Sequence, residues 1–515
     1  MAESIKLGSY TPPPLPKGTV DIRIGVFFDG TQNNRKNTNA RLGNFEDKEE
    51  KKTATDAYKK MSNHKDDSYM NDLSNVARKE LHYAKDKYAD SVYIEGIGTD
   101  DFGEDSDDAT NHLGVAFGSG AQGVIEKVKK GCKLVAEKVS LLKLDKKINV
   151  LTLDVFGFSR GSAAARNFIY EVNKKPYRSK GVGSGVNENR KLRFDDHKQL
   201  VTVDDLPAHG ELGKVLGEIK INKLIIRFVG LYDTVSSYDP NATNTTRHPN
   251  YNNDVAELHL NSISAQKIIH FCANDEHRKN FMLTPTAKAA GGQDFYLPGV
   301  HSDVGGCYTD NMNESKQIMD FDNTIGDGYS DEDYNEILNN DLNDLIAQGW
   351  FIESEKEVTR PNKWHETHIN RSGIRNTYSF VTLSLMSEKL NAYYAGTIDI
   401  AELNKYYGIP KSTKPDELDL NKVKERLTAY INGSQPKMEY YTNKQIEIFR
   451  KQEKEKKMAT DTFNRIVKDH NMLIKLRHKY IHWNSQYGDI PQAYVPNFKI
   501  VGKTIVRSRL IEPNS

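Results

Sequence analysis

The sequence predicts an α/β fold: a mainly parallel sheet with flanking helices, inserted loops and a helical C-terminal region. Three observations carry this. Apolar, β-branched runs alternate with helix-like stretches, which is the pattern of βαβ units. The run 148–158 passes straight through Gly157-Phe158-Ser159-Arg160-Gly161 into the alanine-rich stretch 162–168. Polar clusters fall where apolar runs end, and open α/β sheets bind ligands at the carboxyl ends of their strands.

Along the chain, residues 8–18 are a proline-rich, extended lead-in. The first strand is expected over 21–28, ending in the turn Asp29-Gly30-Thr31-Gln32-Asn33-Asn34. The charged stretch 35–66 reads as a solvated loop or surface helix. A second strand is expected over 91–97, followed by an acidic loop at 100–108, and a helix from about 121 to 142. The elbow strand comes next, then an irregular charged insertion at 178–206. Lys223–Val229 reads as a buried strand opening into Gly230-Leu231-Tyr232-Asp233-Thr234-Val235. An Asn-rich loop covers 239–254. A helix is expected over 262–273 and a strand over 294–300, with His301-Ser302-Asp303 after it. Residues 309–340 read as an acidic insertion, 378–386 as a strand-like run, and 444–480 as one long charged helix whose Lys/Glu face is solvated. The expected organisation is a lead-in (1–20), a catalytic domain (21–390) and a mostly helical C-terminal region (391–515) packed on it.

Composition narrows the function. The 515 residues carry 72 basic and 71 acidic side chains, a net charge of +1, which argues against a dedicated nucleic-acid binder. Mean hydropathy is −0.69, consistent with a core carrying long polar loops. Cys132, Cys272 and Cys307 show no C-x-x-C spacing, so neither a zinc site nor a redox motif is expected. The first residues lack the apolar core of a signal peptide, and no run is long enough to span a bilayer. Synthesis in the cytoplasm without a secretory leader is the expectation.

Strand, G-x-S-x-G and helix together form the setting of a nucleophile elbow. A tight turn lifts the Ser159 hydroxyl above the sheet edge. The flanking glycines are required because a side chain there would meet neighbouring backbone. The alternative is an ordinary βα turn with a capping serine. A serine nucleophile needs a histidine base oriented by a carboxylate, in the chain order Ser, Asp, His for an α/β-hydrolase-like fold. Of 15 histidines, His301 is placed best, on a Gly-flanked loop at a strand end. His270 and His277 read as packing or capping residues, and His478 and His482 as structural. Asp233 is the carboxylate of choice; Asp239 and Asp303 are rivals, and Asp303 is suited to holding the His301 loop through backbone bonds. The oxyanion hole is expected from the Arg160 N–H and from Gly30 or Thr31.

Five ordered blocks then carry a resemblance: Phe28–Asn34, Glu95–Thr99, Gly157–Arg166, Gly230–Ser237 and Pro298–Gly306. Together they resemble the α/β-hydrolase domain of the type VI secretion lipase effectors with a G-F-S-R-G elbow, over residues 21 to about 310. The resemblance implies a phospholipase acting on acyl esters of bacterial membrane glycerophospholipids, with Ser159, Asp233 and His301 as its triad. It also implies an antibacterial effector carried by a spike or tube component into a target cell's periplasm, and a cognate immunity protein. The triad requires no cofactor. The acidic loops at 100–108 and 319–333 could hold calcium, although neither matches the EF-hand pattern. The competing readings are a soluble carboxylesterase of small acyl substrates and a non-catalytic interaction protein on the same fold.

Overall fold

A computed structural model describes residues 15–45, 47–61, 67–105, 122–176, 192–194, 200–202, 206–237, 258–321, 329–353, 358–359, 366–412, 417–488 and 494–512. Its centre is a six-stranded sheet. The strands are β1 (Thr19–Phe28), β2 (Ala89–Ile94) and β3 (Lys147–Phe158), followed, after a short antiparallel hairpin β4 (Leu192–Phe194) and β5 (Leu200–Thr202), by β6 (Ile221–Tyr232), β7 (Ser264–Ala273) and β8 (Ala290–Leu297). Their order is β2-β1-β3-β6-β7-β8, and every pairing is parallel.

Alternation along the strands builds two apolar layers. Ile24, Val26 and Phe28 of β1 and Leu153 and Val155 of β3 pack on one face with the helices Val124–Leu142 and Arg160–Val172. Phe27, Phe156 and Phe158 point to the other face, where they join Tyr378, Leu385, Leu476 and Trp483 from the C-terminal part of the chain. Phe27 and Phe156 stack with centroids 4.6 Å apart. Both faces are therefore covered, as an all-parallel sheet requires.

A second, antiparallel sheet orders β10 (Val358–Thr359), β11 (Glu366–Ile374) and β9 (Met312–Asp320). The hairpin β12 (Phe498–Val501) and β13 (Thr504–Arg507) closes the described chain. The tail after it runs along Leu283, whose N–H donates to Leu510 O and whose carbonyl accepts from Glu512 N.

Four expectations are corrected. Residues 264–273 form strand β7, not a helix. Its inner half, Ile268–Ala273, is buried on both sides, so the period-2 signal is lost and periodicity cannot separate it from a buried helix. Tyr378–Tyr393 is a helix, not a strand. It is buried nearly all round, and its hydroxyls return to preceding carbonyls: Thr382 Oγ1 to Ser379 O (2.9 Å) and Ser387 Oγ to Leu383 O (2.7 Å). Alternating Ser and Thr in that run therefore mimicked a strand. The stretch 444–480 holds two helices, Asn443–Lys454 and Thr460–Lys479, with Lys456 at φ 56° between them. The acidic segment 309–340 contributes β9 and the start of the helix Asp331–Ala347, with Ile318, Met319 and Leu338 buried. The Asn-rich loop, most of 178–206, and residues 106–108 and 322–328 of the two acidic loops lie outside the described residues. Among those described, no helix is long and apolar enough to cross a membrane.

Candidate active site

The site is built at the carboxyl end of the two middle strands. β3 pairs with β1 on one side and β6 on the other, bringing Gly157 level with Phe28 and Leu231. Ser159 thus emerges between the Asp29-Gly30-Thr31 turn and Asp233. It adopts φ 58° and ψ −129°, a conformation that costs a non-glycine residue roughly 1–3 kcal/mol. The neighbouring strand and the following helix hold it there: Ser159 N donates to Tyr232 O (3.0 Å) of β6, and Ser162 N of the helix returns to Ser159 O (3.0 Å). Ser159 sits at the N-cap of the helix Arg160–Val172 but makes no side-chain capping bond, which leaves the capping-serine alternative without its defining contact. A Cβ on Gly157 would stand 2.6 Å from Gly161 O, and one on Gly161 only 2.1 Å from Asp29 O. Both flanking glycines are therefore sterically required.

Asp233 follows the last residue of β6, also at positive φ (44°). Its N–H donates to Phe271 O (2.7 Å), and the next amide, Thr234 N–H, donates to His270 Nε2 (2.9 Å). His270 Nδ1 faces Asp294 Oδ1 at 2.7 Å. An imidazole nitrogen that accepts from an amide carries no proton, so Nδ1 is the protonated one. His270 is a β7 residue that braces the Asp233 turn, close to the packing role expected of it. His270, Cys272 and Asp294 bring their ligand atoms within 4.8 Å of one another, but both His270 nitrogens are engaged by protein groups.

His301 opens the short helix His301–Gly305 after β8. Its Nδ1 lies 2.5 Å from Asp233 Oδ2. Its ring packs between Phe158 (centroids 4.7 Å) and Phe281 (5.1 Å), so the residue before Ser159 touches the imidazole directly. A Cβ on Gly305 would reach Phe158 at 2.0 Å, which fixes that glycine too. Among the described residues no hydrogen bond joins the Ser159 and His301 side chains; such bonds often tighten only when substrate is bound. The His301 amide donates to Glu276 Oε2 (3.2 Å). Glu276 is clamped by Arg278 Nε and Nη2 (3.0 and 2.9 Å) and by Asn484 Nδ2.

Asp303 does not face the His301 imidazole. Its Oδ2 accepts from Val300 N (3.0 Å) and its Oδ1 faces His482 Nδ1 at 2.7 Å. It holds the His301 loop, as its position two residues on suggested, and His482 supports it from the far C-terminal region. Asp239, the other rival, lies outside the described residues.

Electrostatics separates the two members of the dyad. Burial would raise the Asp233 carboxyl, but Arg509 and then His301 outweigh it and hold the group far below the usual carboxylate range. Arg509 lies in the tail and binds both Asp233 oxygens. Burial lowers His301 below its ordinary 6.5, against the opposing pull of Asp233. A charged carboxylate beside a neutral, Nδ1-protonated imidazole leaves Nε2 as an open acceptor.

On the opposite side of Ser159, Arg160 Nε donates to Thr31 Oγ1 (2.8 Å), tying the elbow to the β1 turn. Gly30 N–H is committed to Asp29 Oδ1 (2.7 Å). Asp29 also accepts from Tyr93 Oη (2.6 Å), and burial pushes its carboxyl up to about 6 against Ser74, Tyr93 and Gly30. A Cβ on Gly30 would meet Phe158 at 2.5 Å, so Gly30 serves close packing, while the Thr31 amide has no partner among the described residues. Arg509, Glu276 and Asn484 left no local signal in the sequence, because each acts across a long separation.

The family described as type VI secretion system phospholipase effector Tle1-like, catalytic domain, matches residues 23–324. No curated protein matches. Among solved structures, the Tle1 effector bound to the VgrG spike of the type 6 secretion system is similar, at 19% identity and TM-score 0.51, covering 95% of this chain and 89% of that one. An uncharacterized protein from Pseudomonas aeruginosa is more distant, at 14% identity and TM-score 0.35, covering 90% of this chain and 65% of that one. The family match spans more than half the sequence and contains the elbow, Asp233 and His301, and the chain therefore belongs to the Tle1-like family of type VI secretion phospholipase effectors.

Proposed function

We propose that this effector hydrolyses acyl esters of bacterial membrane glycerophospholipids, as a phospholipase A type enzyme using Ser159, His301 and Asp233. The observation that carries the reading is the strained Ser159 at φ 58° and ψ −129°, uncapped and beside a His301–Asp233 pair at 2.5 Å. Ser159 Oγ attacks the ester carbonyl while His301 Nε2 takes its proton. Asp233 holds the Nδ1–H tautomer and stabilises the imidazolium that forms. The Arg160 N–H and the Thr31 N–H bind the oxyanion, with Gly30 allowing the close approach. The imidazolium then protonates the leaving alkoxide, and water activated by His301 releases the fatty acid. No cofactor enters these steps.

The same proposal includes an antibacterial role, a spike or tube component as carrier and an immunity protein as the producer's protection, and membership of the family supports it. The relative solved on its VgrG spike supports the carrier. Mass spectrometry of products from defined phospholipids tests the reading, comparing wild type with Ser159→Ala and including a chelator arm for calcium. Fatty acid and lysophospholipid are expected from wild type alone; equal release by Ser159→Ala rejects it. Activity confined to short-chain esters would favour the carboxylesterase reading.

A further inference from the structure

All five N–H donors of Arg509 are used, and each goes to the back of the catalytic corner. Nη1 donates to Asp233 Oδ1 (2.5 Å) and to Ala273 O (3.0 Å). Nη2 donates to Asp233 Oδ2 (2.8 Å) and to Phe281 O (3.1 Å), and Nε to Phe281 O (3.2 Å). The guanidinium is buried, at 7% side-chain exposure, against a carboxylate at 0%. Asp233 is equally complete: Oδ1 also accepts from Ala273 N (2.7 Å), and Oδ2 faces His301 Nδ1. A fork of this kind aligns a carboxylate in a way that a point charge cannot.

Arg509 arrives from outside the matched catalytic domain, which ends at residue 324. It lies two residues past β13, and the tail around it is seated on Leu283 by the Leu510 and Glu512 backbone bonds. We propose that Arg509 is a positioning residue for the ester-hydrolysing site: the C-terminal tail supplies the counterion that keeps Asp233 ionised and aimed at His301. This rests on the reading of Ser159, His301 and Asp233 as the triad. The catalytic unit then extends from the first strand to the last few residues of the chain.

The charged and titratable groups facing the dyad are Arg509, Glu276, Arg278 and Cys272. Glu276 is already paired with Arg278, so Arg509 is the counterion of Asp233 itself. Without it, the dyad is a buried anion and takes up a proton at higher pH, whichever of its two members receives it. An inactive, protonated dyad then persists further towards neutrality.

The test uses the full-length chain with Arg509→Gln and Arg509→Lys, the concentration of active sites being titrated with a fluorophosphonate. The expected result for Arg509→Gln is a kcat/KM lower by about tenfold or more per active site. Its acid limb should move up by about one pH unit. Arg509→Lys keeps the charge but loses the fork; its limb should stay near wild type with an intermediate rate. Wild-type rate and limb in folded Arg509→Gln overturn the proposal. So does a lower rate with an unmoved limb, the mark of a merely structural contact. If Arg509→Gln does not fold, a wild-type rate in Arg509→Lys is the overturning result. The unmodified chain tests it as well: its acid limb is expected below 6.5, and a limb above about 7 contradicts a dyad carrying its own counterion. Ser159→Ala separates the two layers. If that variant still hydrolyses ester, the triad reading fails; if it is inactive while Arg509→Gln is normal, only the role of Arg509 fails.

Discussion

Of the three His–Asp pairs among the described residues, two meet at the Asp233 turn, and they differ in whether the outer imidazole nitrogen is open. His270–Asp294 spans the neighbouring strands β7 and β8, with its nitrogen and oxygen 2.7 Å apart. His301–Asp233 lies at the strand ends, at 2.5 Å. The difference is in what surrounds each pair. His270 Nε2 accepts the Thr234 amide and is closed, whereas His301 Nε2 has no partner among the described residues. Asp294 is answered by Thr286 N and Oγ1, whereas Asp233 is answered by the full guanidinium of Arg509. A His–Asp pair becomes catalytic equipment when its outer nitrogen stays open and its carboxylate stays charged. The same groups with both nitrogens engaged become a brace.

The most severe break in this comparison is to remove the charge from the His301–Asp233 pair. Asp233→Asn should reduce kcat by on the order of 10⁴-fold in a phospholipid assay, because the wrong tautomer of His301 is stabilised. A loss under about tenfold would place Asp233 outside the mechanism. Next is the turn that presents the serine. Gly161→Ala forces a Cβ to within 2.1 Å of Asp29 O, so the elbow must shift. Activity should fall at least about a hundredfold, and calorimetry should show a loss of roughly 1–3 kcal/mol.

A smaller effect is expected at the brace. His270→Phe removes the acceptor of Thr234 N–H and leaves Asp294 without its ring partner. Stability should drop by about 1–3 kcal/mol in denaturant titration, and kcat/KM should fall by about tenfold through the Asp233 turn. Its acid limb should match wild type, since His270 is not the base. A limb shift as large as that of an Asp233 variant would erase the distinction between the pairs.

The smallest effect concerns acid. His277 is buried neutral, with Nε2 facing Ser485 Oγ at 2.8 Å, and burial with Arg507 lowers it to about 4. Between about 6.5 and 4 the unfolded chain binds the extra proton, so this group's stabilisation is present above 6.5 and fades as pH falls. Asp29, raised to about 6, opposes the trend below that value, since its folded form binds the extra proton. His277→Gln should therefore flatten the dependence of Tm on pH between 7 and 5 by a degree or a few, on the order of 1 kcal/mol. An unchanged slope would show that His277 is protonated in the folded state.

What was legible in the sequence follows the same division. Groups carried on short motifs at strand ends were readable: the elbow glycines around Ser159, Asp233 after β6, His301 after β8, and the Asp29-Gly30-Thr31 turn. Each is announced by residues a few positions away that a tight turn requires. Of the supports, Asp303 beside the His301 loop was readable and the distant ones were not. Arg509 meets Asp233 across 276 positions, and His482 meets Asp303 across 179, so no local spacing records either contact. The brace was legible only as a packing histidine, for a related reason. Burial on both faces erased the alternation of β7, and a helix assignment put His270 on the wrong kind of element. The helix Tyr378–Tyr393 failed the other way, since its hydroxyls alternate with apolar residues while bonding along their own helix.

The most direct test of the central claim is covalent. Wild-type protein treated with a long-chain fluorophosphonate and digested should carry one adduct, on the peptide containing Ser159. Labelling should slow sharply in His301→Ala and persist at the wild-type rate in a variant of the partly exposed His368, His368→Ala. An adduct on another residue, or equal labelling of Ser159 in His301→Ala, would contradict the account.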